Sequence, residues 1–164
     1  MFPIMPTALL FALIVSLAGG HAIPPQNADR VYSLVRMNGQ PVPGAVRFRS
    51  TKGTMHWLRV EESVLRLKRD GSFVASARFY RELLREGAPA PRPANLRLLN
   101  DAAQGRYSIR RDTLVLQVAK RKDSAGGIVR GLISGNRVRI RHTLKDGNLR
   151  HNVDVEFRFD PTIW

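Results

Sequence analysis

Two histidines near the C-terminal end are the residues best suited to metal binding or pH sensing. A hairpin that turns at Asp146-Gly147 through a two-residue loop sets His142 directly opposite His151. Paired imidazoles can bind a metal ion or change charge near neutral pH. Two histidines are too few for a convincing metal site, so a half-buried pair near a barrel rim is the competing interpretation. We therefore predict no metal and no cofactor.

A row of arginines on the same hairpin is the second candidate site. Period-2 alternation places five arginines on the outer face of two neighbouring strands: Arg137, Arg139, Arg141, Arg150 and Arg158. Asp154 and Glu156 interrupt the row and are placed to pair with it. The row therefore predicts either an anion-binding stripe or an ordinary solvated face. Aromatic residues of the kind that stack on bases are missing there, which disfavours nucleic acid.

The interior of a barrel is the third candidate site. Alternation turns a set of aromatic and small residues inward, on the same face as the two histidines: Tyr32, Trp57, Phe73, Ala75, Ala77, Phe79, Tyr107 and Gly131. Such residues are plain core in a barrel filled by its own side chains. Small inward residues also leave room for an apolar or amphipathic ligand. Both interpretations stay open at this point.

No arrangement typical of an enzyme is present in the sequence. Cysteine is absent, which excludes disulfides, a thiol nucleophile and thiolate metal sites. Serines, histidines and acidic residues occur, but no motif groups them. We therefore predict that the protein is not an enzyme.

The stretch 64–79 shows how the chain positions these side chains. Apolar and polar residues alternate on both sides of Asp70-Gly71, a pattern typical of a β-hairpin. A three-residue loop with Gly71 in a left-handed bulge sets Leu67 against Phe73 and buries one clean face. Alternating segments at 30–36, 45–50 and 55–60 predict three earlier strands, with a bend at 61–63.

Three further hairpins are predicted from turn residues downstream. Turns at 111–112, 135–136 and 146–147 set Ile109 against Leu114, Ile133 against Val138, and Ile140 against Val153. Residues 79–87 have apolar positions spaced for a short helix that ends at Gly87. A Pro-rich connection follows, so residues 81–105 are predicted to form a long excursion between strands.

Short strands joined by tight turns predict an all-β fold. We expect an antiparallel meander of about eight to ten strands, closed as an up-and-down barrel with one short helix in a long connection. A β-sandwich is the alternative.

The turn and core motifs also resemble a known family. The segments YSLVRMNGQPVPG, VLRLKRDGSF, GRYSIRRDTLVLQV and RGLISGNRVRI are similar to those of small exported bacterial lipocalin-like β-barrel proteins. The resemblance covers about Tyr32 to Phe159. It implies a lipocalin-like barrel with an interior ligand site, and it supplies no catalytic residues.

The first 22 residues have the features of a secretory signal peptide. An apolar run at 8–18 is too short to span a bilayer and is followed by small residues ending at Ala22. The first basic residue is only Arg30, so an uncleaved anchor is the alternative. We predict cleavage near Ala22, no transmembrane segment afterwards, an exported location (periplasm or extracellular), and a single domain at 23–164.

The formal net charge of +14 bears on the partner. It suggests a partner with negative charge, such as an anionic polymer or a lipid headgroup, unless arginine merely fills solvent-facing positions. The sequence thus predicts a non-enzymatic barrel that binds a small apolar or amphipathic molecule. A basic surface module or a purely structural domain are the alternatives.

Overall fold

The fold is described from a computed structural model in residues 29–49, 54–85, 87–122, 126–146 and 149–161. The side chains of residues 142–151 lie outside this description, and so does the predicted signal peptide. Within the described ranges, no helix is long and apolar enough to cross a membrane.

The alternating segments form strands, ten of them in the described residues. These are β1 (Arg30–Met37), β2 (Gln40–Pro41), β3 (Gly44–Arg49), β4 (Met55–Leu67), β5 (Ser72–Leu84), β6 (Leu99–Arg110), β7 (Thr113–Val118), β8 (Gly127–Ser134), β9 (Arg137–Asp146) and β10 (Leu149–Phe159). Eight of them, β1 and β4 to β10, close into an antiparallel up-and-down barrel. The predicted fold class is confirmed.

The first strand closes the barrel. Strands β4 to β10 pair in chain order, and β1 then pairs with β4 on one edge and with β10 on the other. Tyr32 of β1 lies between Leu65 and Phe159 in this seam. Its ring meets that of Phe159 edge-on, with the centroids 5.8 Å apart. Closure leaves these strands with partners on both sides, which removes exposed edges.

The β4–β5 hairpin has the predicted register. Leu67 pairs with Phe73 and Leu65 with Ala75, as a three-residue loop requires. Gly71 has a φ of 79°, in the left-handed region that glycine adopts without strain. The turn chemistry therefore sets which face of both strands is buried.

A short polar network holds the same turn. Asp70 Oδ1 accepts hydrogen bonds from the amide and the hydroxyl of Ser72, at 2.8 and 2.6 Å. These two bonds lower the pKa of Asp70 below its ordinary value. The loop is thus fixed by its own side chains.

Two of the three downstream hairpins also have the predicted register. Ile109 pairs with Leu114 across the first turn, and Ile133 pairs with Val138 across the second. Both pairings place apolar residues inward.

The register predicted for β9 and β10 is wrong by two residues. Asp146 pairs with Leu149, so the loop lies one residue further along the chain than a turn at 146–147 places it. Ile140 therefore faces Val155 and not Val153. A shift of two residues keeps every side chain on its predicted face, because side chains alternate with period two.

Strand β4 is longer than predicted. The segments at 55–60 and 64–67 belong to one strand, and the expected bend is a β-bulge between Val60 and Glu62. On one edge, the first half of β4 pairs with β3 and the second half pairs with β1. We call the end of the barrel where β4 begins and β5 ends the upper end.

The predicted helix at 79–87 is wrong. Strand β5 continues to Leu84 because Met55–Val60 of β4 offers it a partner along its whole length. The connection between β5 and β6 is correspondingly shorter than 81–105, and β6 begins at Leu99. The connection contains a single-turn 3₁₀ helix at Pro93–Asn95.

One apolar cluster fills the described part of the barrel. Its largest fully buried side chains are Tyr32, Phe73, Phe79, Met37, Leu65, Leu67, Leu114 and Leu116. Burial of large apolar side chains is the main stabilising contribution in a chain without disulfides.

Candidate functional site

Three strands extend past the closed part of the barrel at its upper end. Strand β6 begins opposite Phe79, so the last residues of β5 pair with β4 alone, and β4 pairs there with β3. We call residues 44–49, 55–60 and 79–84 the upper wall. Side chains on its inner face form two rows that cross the three strands above the core. The first row is Val46, Leu58 and Arg81, and the second is Phe48, His56 and Leu83.

A small polar cluster lies on this otherwise apolar face. Arg81 Nη2 is 3.3 Å from Nδ1 of His56. A guanidinium can only donate, so Nδ1 is the acceptor in this contact. The imidazole ring also stacks on Phe48, with centroids 4.9 Å apart and planes 2° from parallel. The three side chains hold one another in place.

The charge of Arg81 has no counter-ion in the described part of the chain. Two neighbouring arginines on the outer face of the same sheet do form ion pairs, Arg59 with Glu61 and Arg78 with Glu62. Arg81 is half-buried, and its hydrogen-bond partner in the described residues is an imidazole nitrogen and not a carboxylate. A partly desolvated guanidinium of this kind favours an anion from outside.

A carboxylate faces inward on the next strand. Asp101 lies on the inner face of β6 opposite Ala77, and its side chain is 14% exposed. Its Oδ1 accepts the Ala102 amide at 2.8 Å and lies 3.9 Å from Nη1 of Arg121. Sequence reasoning missed Asp101, Arg81 and His56 as site residues. The alternation of residues 99–105 is a strand pattern that places Asp101 on the inner face. The pattern goes unused because these residues are predicted to belong to the long connection.

Most of the predicted interior residues belong to the packed core. Tyr32, Phe73, Ala75, Ala77 and Phe79 all lie in the apolar cluster and keep at most 3% of their surface exposed. A cavity leaves the atoms that line it open to a water-sized sphere. These residues instead pack against protein atoms.

Gly131 is also buried and marks a close approach of two strands. A Cβ atom there would lie 2.8 Å from the carbonyl oxygen of Arg139 and from Cγ1 of Ile140. The glycine is therefore needed for strand packing, and it leaves no free space.

Tyr107 and Trp57 lie away from the centre. Tyr107 is half-buried at the lower end, where its hydroxyl donates to the carbonyl oxygen of Lys68 at 2.9 Å. Trp57 is buried but lies on the outer face of β4, between Arg47 and Glu82 of the flanking strands. Its predicted inward position is wrong, because the bulge at residues 60–62 reverses the alternation of the first half of β4.

The predicted pairing of the two histidines is wrong. His142 lies opposite Val153, and His151 lies opposite Leu144, as a result of the shifted hairpin loop. Their side chains are outside the description. Among the described residues, no group of three or more histidines and acidic residues could hold a metal ion.

The predicted arginine row is largely occupied by ion pairs. Glu156 forms an ion pair with Arg137, with an N–O distance of 3.3 Å, and accepts a hydrogen bond from Arg139 at 3.0 Å. Asp154 accepts two hydrogen bonds from Arg141, at 2.7 and 3.3 Å. These bonds lower the pKa of Asp154 and raise that of Arg141. Pairing of this kind reduces the charge that the row offers to an external anion.

The remaining two arginines of the row differ in position. Arg158 is exposed and lies opposite Arg137. Arg150 lies opposite Lys145, and its side chain is outside the description.

An open groove of about 710 Å³ lies on the outer face of β8, β9 and β10. Arg130, Arg139 and Asp154 contribute charged groups, and Leu132 and Val155 contribute apolar ones. Leu132 is 55% exposed. Charges of both signs line this groove, so it shows no clear preference for an anion.

Comparison with known proteins adds no identity. No family model matches the chain, and no curated protein is significantly similar to it. The resemblance to lipocalin-like proteins therefore stays a prediction.

Proposed function

We propose that this protein is a non-enzymatic barrel that binds a small amphipathic anion on the inner face of the upper wall. The observation that carries the proposal is Arg81, a half-buried cation on an apolar face with no carboxylate partner among the described residues. The acidic head group of a ligand can accept charge-assisted hydrogen bonds from the Arg81 guanidinium.

The neighbouring side chains suit the apolar part of such a ligand. Val46 and Phe48 lie two strands away from Arg81 across the wall, at roughly 10 Å given the usual strand spacing. An extended alkyl chain of medium length covers that distance. Leu58 of β4 lies between them, and Leu83 lies two residues beyond Arg81 on the same face of β5.

The packed interior supports the wall as the binding place. Ala75 and Ala77, the small residues that suggested an interior cavity, are both buried in the core cluster. The alternative function, a basic surface for anionic polymers, has less support because Asp154 and Glu156 pair with most of the arginine row. Export through the segment 1–22 remains part of the proposal.

Binding of decanoate by the full protein tests this function, with titration calorimetry as the measurement. We expect Arg81→Gln to weaken decanoate binding by about 10- to 100-fold, the range for a lost hydrogen bond to a charged group. Arg78→Gln is the matched control, because Arg78 lies on the outer face of the same strand. We expect it to bind like the parent.

Two results would overturn the proposal. One is a parent protein that does not bind decanoate. The other is equal loss of decanoate binding in Arg81→Gln and Arg78→Gln, since a general charge effect would then explain both. Thermal melting of each variant shows whether the fold is kept.

A further inference from the structure

Two loops at the upper end carry exposed cations. The connection 85–98 and the segment 119–122 contain five exposed basic residues without an ion pair in the described part of the chain: Arg85, Arg92, Arg97, Lys120 and Lys122. We call these the rim cations. The connection 85–98 contains one acidic residue, Glu86, and the segment 119–122 is followed in the sequence by one, Asp123. The rim is therefore clearly positive.

The two loops lie on either side of the beginning of β6. The Ala119 amide donates to the carbonyl oxygen of Gln104 at 2.8 Å, and the Arg121 guanidinium donates to that of Ala102. The connection 85–98 leads directly into the first residue of the same strand, Leu99. Both groups of cations thus belong to one end of the barrel, the end that carries the upper wall.

A large apolar side chain stands at this rim. Leu83 is 56% exposed and lies two residues before Arg85. A leucine that is exposed beside Arg85 can enter the hydrocarbon layer beneath an anionic surface. A water-soluble polyanion offers nothing to the leucine, so the combination favours a lipid bilayer.

We propose that the rim cations and Leu83 dock this protein on the surface of an anionic phospholipid bilayer. Basic residues near such a surface each strengthen binding by about fivefold. Docking at the upper end turns the upper wall toward the lipid, so an amphiphile could pass between the bilayer and the wall. The docking itself does not depend on the ligand proposed above.

Vesicle co-sedimentation of the full protein tests the cations. The probes are vesicles of phosphatidylglycerol mixed equally with phosphatidylcholine, and vesicles of phosphatidylcholine alone. We expect tight binding only to the first. A variant with Arg92, Arg97, Lys120 and Lys122 all changed to Gln should bind at least about 100-fold more weakly. The matched control changes four exposed arginines elsewhere to Gln: Arg69, Arg110, Arg130 and Arg158.

Equal loss of vesicle binding in the rim variant and the control variant would overturn the proposal, because net charge alone would then explain it. Binding of the parent to both kinds of vesicle with equal strength would also overturn it.

Two leucine substitutions test whether Leu83 inserts into the bilayer. Leu83→Ser should weaken binding to the anionic vesicles by about tenfold. Leu132→Ser, at a second large apolar residue that is exposed in the described ranges, should leave vesicle binding unchanged. Two results together would show that the partner is a soluble polyanion and that the bilayer proposal is wrong. Leu83→Ser would have no effect on vesicle binding, and the rim variant would lose binding to dextran sulfate as strongly as binding to vesicles.

Decanoate binding separates the two proposals. The rim variant should bind decanoate like the parent, and Arg81→Gln should still bind the anionic vesicles. If decanoate binding fails, vesicle binding can therefore still be tested, and the reverse also holds.

Discussion

Enlarging Ala75 to leucine tests whether the barrel interior is filled. Ala75 keeps 1% of its surface exposed and pairs with Leu65 and Ala103, which are also buried. Leucine adds three carbon atoms where the surrounding side chains already touch. Overpacking of this kind costs about 1 to 3 kcal/mol. In a domain of this size, such a loss lowers Tm by about 3 to 12 °C.

The measurement is thermal and urea unfolding followed by circular dichroism, together with binding of an apolar fluorescent dye. Ser76→Leu is the matched control, because Ser76 is the next residue on the strand and is exposed on the outer face. We expect it to leave the stability nearly unchanged. An Ala75→Leu variant that is as stable as the parent, and that loses dye binding which the parent shows, would refute the packed interior.

Two further changes test local features. Gly71→Val should lower the free energy of unfolding by at least about 1 kcal/mol, because a β-branched residue is strained at a φ of 79°. Gly71→Asn, which tolerates this conformation better, should cost less in the same urea titration. Asp154→Asn should cause a small loss of stability near pH 7, because it removes the ion pair with Arg141. The folded pKa of Asp154 is lowered, so its contribution is present above about pH 4 and disappears as the pH falls below that value. A stability difference that stays constant down to pH 2 would contradict this assignment.

The sequence predicts the barrel where the signals are local. Asp70-Gly71 and the flanking alternation determine a hairpin register within a dozen residues, and the register is confirmed. The face of each side chain also survives the error at β9 and β10, since that shift is an even number of residues.

The candidate site depends on information that is not local. Residues 79–84 have spacing that fits a helix, and only the pairing with 55–60, about 25 residues earlier, makes them a strand. Arg81 and His56 are brought together by that pairing, so neither could be recognised from its own neighbourhood. Trp57 shows the same limit, because a single bulge at residues 60–62 decides which way it faces.

Closure by β1 has a consequence for how the chain must fold. The seam joins Tyr32 to Phe159, two residues separated by nearly the whole described chain. During synthesis from the N-terminus, β1 can pair early with β4, but its second edge has no partner until β10 has emerged. Contacts between such distant residues form late, because a long loop must close first. Until that moment the sheet is open along one side.

The order of events then depends on the whole chain being present. A chain interrupted before β10 keeps an open edge on β1 that can pair with other open sheets. If the protein is exported as an unfolded chain, closure occurs only after the last strand has crossed the membrane. The seam can thus form only once β10 is available to pair with β1.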